Sequence, residues 1–185
     1  MLPKTLSFKL PLSLAAPRPA LLLIGLSLLS FFIPFFLAGP QSVVGTIVNA
    51  SLFLAVIFLP KKLILPLIVL PSLGVLGRGV IFGPLTMFLV YFLPFIWLGN
   101  LALILVFKKL YLRFHFLLAA SLAASAKFLF LFIIAHVYFE LSLAPQIFLQ
   151  MMGLNQFLTA LAGGLMAWFI FNFYDKQHSG HKRTA

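Results

Sequence analysis

Lys127 places an amine in the middle of a long apolar stretch, and an amine in that position points to the recognition of an anion. Residues 115–139 around it hold no other residue that is charged at neutral pH. At about 1.5 Å rise per residue, Lys127 stands about 18 Å from either end of a helix of that length. That is near the centre of a hydrocarbon layer about 30 Å thick. A charge at that depth costs roughly 2.5–3.5 kcal/mol on insertion scales, so such a residue faces a cavity or a partner. The simpler alternative is a lysine snorkelling to an interface, which its distance from both ends opposes.

Few other polar side chains share the apolar segments. Asn49 lies about 10 Å below the outer end of the second segment, and Asn155 and Gln156 lie about 13–15 Å below the outer end of the sixth. These depths overlap with that of Lys127, so the four can line one cavity. Arg78, near the outer mouth, would steer or clamp an anion, or else sit as a snorkelling interfacial cation. Asn100 lies apart, about 10 Å above the inner end of the fourth segment. Each amide also has a plain reading as a hydrogen bond between helices, worth about 0.6 kcal/mol.

The elements that must position these groups follow from the hydropathy pattern. The chain has 185 residues, is 63% hydrophobic and 8% charged, and has a mean hydropathy of +1.18. This composition predicts an all-α polytopic membrane protein rather than a soluble domain. Six apolar segments run over residues 20–38, 42–59, 63–76, 80–107, 114–139 and 146–173. The third is short: a compact span, a partial span, or a helix that runs on past Arg78. A lead-in over residues 1–19 and a polar tail over 175–185 flank the six-helix bundle of 20–174. Two histidines in the tail, His178 and His181, are read as solvated rather than as metal ligands.

Charge placement orients the bundle. With a cytoplasmic N-terminus, the inside segments hold Lys4, Lys9, Arg18, Lys61, Lys62, Lys108, Lys109, Arg113, Lys176, Lys182 and Arg183. The outside loops hold Arg78 alone. This positive-inside bias predicts six crossings with both termini cytoplasmic, in the cell membrane, such as the inner membrane of a bacterium. The basic residues punctuate apolar runs instead of forming a patch, which argues against a nucleic-acid partner.

Enzyme chemistry is not expected. The chain has no cysteine, so thiolate-held metals and iron–sulfur clusters are excluded within it, and a place in a redox complex would need another chain to supply every metal ligand. Its carboxylate side chains are Glu140 and Asp175, neither within a span, which opposes a carboxylate proton relay. No nucleophile elbow, zincin motif or phosphate loop occurs. No cofactor is expected.

The small residues indicate which faces pack. On the fifth helix, Ala120, Ala123, Ala124 and Leu131 share the face of Lys127, which predicts that the lysine projects into the bundle. His136 falls on the opposite side. Thr159, Ala160, Gly163, Gly164 and Ala167 repeat the small pattern on the last helix, so the fifth and sixth spans are expected to pack together.

Six short spans, termini inside, a compact third segment and the closing run Asn155-Gln156-Phe157-Leu158-Thr159-Ala160-Leu161-Ala162-Gly163-Gly164 resemble the substrate-binding S components of energy-coupling factor transporters. The resemblance implies a binder of a small micronutrient with no ATPase of its own, docking on a transmembrane coupling protein driven by ATPase subunits. It implies a ligand near the outer face, touched by Lys127, Asn155 and Gln156. The first helix departs from the family pattern, since the run from Ala20 to Ser30 has no small pair at spacing four. The alternative is a non-catalytic partner or assembly subunit, in which Lys127 meets a carboxylate of another protein.

Overall fold

A computed structural model describes residues 19–37, 40–82 and 86–180. Most of the expected lead-in lies outside these residues, and the histidines of the tail lie outside the described side chains. The described residues form seven α-helices and no strand: α1 (Pro19–Phe36), α2 (Gln41–Phe58), α3 (Leu65–Phe82), α4 (Thr86–Tyr111), α5 (Phe116–Glu140), α6 (Ile147–Met152) and α7 (Leu154–Gly180). A single 3-10 turn, Lys61–Leu63, leads into α3. Six helices are long and apolar enough to cross a membrane. Helical backbone is what such sequences must adopt, because lipid offers no partner for a free N–H or C=O. The 18 residues of α1, α2 and α3 each reach about 27 Å. Large apolar side chains are exposed along the whole surface, Phe36, Leu65, Phe169 and Phe173 among the most open, as a lipid-facing surface requires.

Two elements differ from the sequence reading in detail. The short third segment is the helix that runs past Arg78, ending at Phe82. The sixth segment is broken, with the six residues of α6 ending at Gly153 before α7 begins. Gly153 holds ψ at −121°, and a Cβ there would run into the Leu149 carbonyl and crowd the Phe132 ring. The break puts Asn155 and Gln156 in the first turn of α7, at its end, rather than at the depth that one continuous helix implies.

The helices alternate in direction, so the described charges separate into two ends. Lys61, Lys62, Lys108, Lys109, Arg113, Asp175 and Lys176 lie at the basic end, and Arg78 and Glu140 at the far end. The closest helix pairs are α2 with α7, α4 with α5 and α1 with α3, followed by α5 with α7. The expected contact of the last two spans is present, but the tightest approach of the last helix is to α2. A large core reaches toward the basic end around Phe53, Phe107, Phe116 and the buried alanines of α5. A smaller one at the far end holds Phe92, Leu131, Phe148 and Met152.

A second set of polar contacts lies beside Pro71. Lacking an N–H, this proline withdraws the donor that the Leu67 carbonyl would use and disturbs the ladder of α3. At the next residue, Asn100 Nδ2 of α4 donates to the Ile68 carbonyl at 3.0 Å. Ser72 Oγ donates to the Val69 carbonyl at 2.8 Å and accepts from Trp97 Nε1 at 2.6 Å. Asn100 therefore joins α3 to α4 beside a proline.

Candidate functional site

Small residues bring α2 and α7 close enough for polar side chains to meet between them. The two helices run parallel, and residues four apart pair one to one: Gln41 with Asn155, Gly45 with Thr159, Asn49 with Gly163. A Cβ on Gly45 would stand 2.9 Å from the Thr159 side chain. One on Gly163 would stand 2.7 Å from Asn49 Cβ and 2.8 Å from the Ala50 backbone nitrogen. Neither position tolerates a side chain without moving a helix. Gly164 makes the corresponding approach to Ala120 of α5, so α5 completes a three-helix junction.

Lys127 reaches into this junction. It lies on the buried face of α5 with Ala120, Ala123, Ala124 and Leu131, as the alanine pattern predicts, and is 3% exposed. Its Nζ donates to Asn49 Oδ1 at 2.8 Å. Asn49, 1% exposed, donates through Nδ2 to the Gly45 carbonyl at 2.8 Å and to Thr159 Oγ1 at 3.3 Å. Thr159 Oγ1 donates in turn to the Gln156 carbonyl at 3.2 Å. The amide orientation is dictated by chemistry: an ammonium can only donate and a carbonyl can only accept.

The electrostatics of the junction are one-sided. A protonated lysine offers three donors, and among the described residues Asn49 Oδ1 is its hydrogen-bond acceptor. The nearer carboxylate along α5, Glu140, lies 13 residues away, about 20 Å of helix. Asp175 is near the opposite end of the molecule. The chain thus surrounds an amine with neutral groups.

Toward the far end the polar seam continues. Gln41 Nε2 donates to the Met151 carbonyl at 2.8 Å, and Asn155 Nδ2 donates to Gln41 Oε1 at 3.3 Å. Three of the five expected residues, Lys127, Asn49 and Asn155, therefore contribute side chains to one seam, and Gln156 contributes its backbone carbonyl. Arg78 does not join them. It lies between α1 and α3, donating to the Leu37 carbonyl at 2.8 Å, which satisfies the end of α1. His136 bonds within its own helix, Nδ1 to the Phe132 carbonyl at 3.0 Å.

Two members of the seam were absent from the expected site. Gln41 stands one residue before the second apolar segment as the hydropathy delimits it, and Thr159 reads as a small packing residue. Their spacing carried the signal: Gln41, Gly45 and Asn49 on one helix match Asn155, Thr159 and Gly163 on another. Among the described residues no three His, Asp or Glu side chains come together as metal ligands. No family model, curated protein or solved structure matches the chain. The reading of the site rests on its geometry.

Proposed function

We propose that the protein is an integral membrane solute-binding subunit of the S-component kind, taking a small anionic micronutrient at Lys127. The observation that carries this reading is a mid-span lysine whose partner is the neutral Asn49, at the inner end of a polar seam that leads to the far end of the bundle. A carboxylate entering the seam would exchange the contacts of Gln41 and Asn155 for its own and meet the amine that the chain leaves without a counter-charge. Exchange of such neutral hydrogen bonds costs little net free energy. Both termini face the cytoplasm in this reading, and Arg78, outside the seam, has no part in binding. Coupling to a transmembrane protein with ATPase subunits belongs to the same proposal. An assembly role is the alternative, in which a partner's carboxylate rather than a solute's would have to reach the side chain enclosed by α2, α5 and α7.

Thermal unfolding of the detergent-solubilised protein over a panel of small carboxylates and their neutral amides tests the proposal. At least one carboxylate should raise the unfolding midpoint, its amide should not, and Lys127→Met should abolish the effect. An equal shift in Lys127→Met overturns the reading. So does a variant that keeps solute binding but loses co-purifying proteins, which would favour the assembly role.

A further inference from the structure

The helix pair opposite the seam carries a second feature that the solute reading does not use. α1 and α3 run parallel and pinch together toward the far end, where Gly74 lies against the Phe31 carbonyl and Gly77 against the Phe35 ring. Below this approach lies an open groove of about 370 Å³ lined by Leu23, Ile24, Ser27, Phe31, Pro66 and Leu70, among others. The register set by Gly74 and Phe31 puts Pro66 level with Leu23, and Lys62 level with the start of α1. The groove therefore begins about one helical turn from Lys62 and runs for about 12 Å toward the middle of the bundle.

Its mouth is basic. Lys61 and Lys62 are both exposed on the 3-10 turn that opens α3, and Lys61 lies near enough to Lys108 for the two charges to repel. Among the described residues neither Lys61 nor Lys62 makes a hydrogen bond or ion pair to a carboxylate. An apolar slot at hydrocarbon depth beneath exposed ammonium groups at the interface fits one chemistry: an acyl chain in the slot and an anionic headgroup above it. A neutral or zwitterionic lipid would leave the mutual repulsion of the lysines in place.

We propose that the groove between α1 and α3 is a binding site for an anionic phospholipid, with its headgroup on Lys61 and Lys62. Because the chain contains no cysteine, Ser27→Cys carries a single bimane label inside the groove. The labelled protein is reconstituted in vesicles of phosphatidylglycerol and phosphatidylcholine, with brominated acyl chains on one lipid or the other at equal mole fraction. Brominated phosphatidylglycerol should quench the label with an apparent affinity roughly fivefold or more above that of brominated phosphatidylcholine. Lys61→Gln with Lys62→Gln should bring that ratio close to one. A label at Ile133→Cys, on the lipid-facing side of α5, should show no preference in the same vesicles. Equal quenching by both lipids at Ser27→Cys, or a preference unchanged in the double lysine variant, overturns the site. Absence of quenching by either lipid also overturns it, since a second copy or another protein helix would then fill the groove.

Discussion

Two of the polar groups buried between helices of this bundle, Asn100 and Lys127, are buried in different settings. Asn100, 1% exposed, sits beside the proline-disturbed turn of α3 and gives its amide to the Ile68 carbonyl. Its partner is helix backbone next to a proline, and the bond joins two neighbouring helices. Lys127, 3% exposed, meets Asn49 at a place where α5 has no interior proline and the surrounding helices need no extra donor. Removing both Lys127 and Asn49 would leave an apolar junction with its helical hydrogen bonds intact. A polar group that ties one helix to the backbone of another belongs to the fold. One that the backbone does not need, at a cost of roughly 2.5–3.5 kcal/mol if charged, is a candidate for function.

The contrast breaks most sharply at Gly163. Gly163→Val would drive new atoms into the α2 backbone, and overpacking of that kind costs about 3 kcal/mol. Unfolding in detergent should show that loss, together with loss of solute binding, because the junction opens. Retained stability would mean that α2 and α7 are less tightly apposed than described. Lys127→Met with Asn49→Leu separates function from fold. Replacing both partners by apolar groups of similar shape is nearly neutral or stabilising, so the unfolding midpoint should match or exceed that of the wild type while solute binding disappears. A loss of more than about 2 kcal/mol would make the pair structural.

Asn100→Leu should do the reverse. It removes the amide bond to the Ile68 carbonyl and should cost about 1 kcal/mol, with solute binding unchanged within error in the same thermal assay. The smallest effect belongs to Trp97→Phe, which removes the donor to Ser72 and should cost about 0.6 kcal/mol. If either α3–α4 variant abolished binding, the two polar groups would have to be treated as one coupled network.

Much of this arrangement is legible in the amino-acid sequence. Runs of apolar residues divided by charged residues, glycine or proline mark the six spans, and Ala120, Ala123 and Ala124 turn Lys127 toward the interior. The break at Gly153 was not legible, because residues 146–173 contain no charged residue and no proline and a glycine inside an apolar helix is common. Depth along a helix also says nothing about rotation or about which helices are neighbours. Arg78 has a plausible depth for a clamp, yet α3 packs against α1 and α4 and spends its guanidinium on the end of α1. Gln41 was missed for a related reason: hydropathy trims a helix where its polar residues begin, and the site begins there.

The central question is whether Lys127 meets an anion from outside the chain. Native mass spectrometry of the gently extracted wild type beside Lys127→Met tests this most directly. The account predicts a small acidic molecule retained on the wild type and absent from the variant, with both proteins otherwise intact. The same small molecule retained on both, or none on either after extraction from cells grown in rich medium, would contradict it.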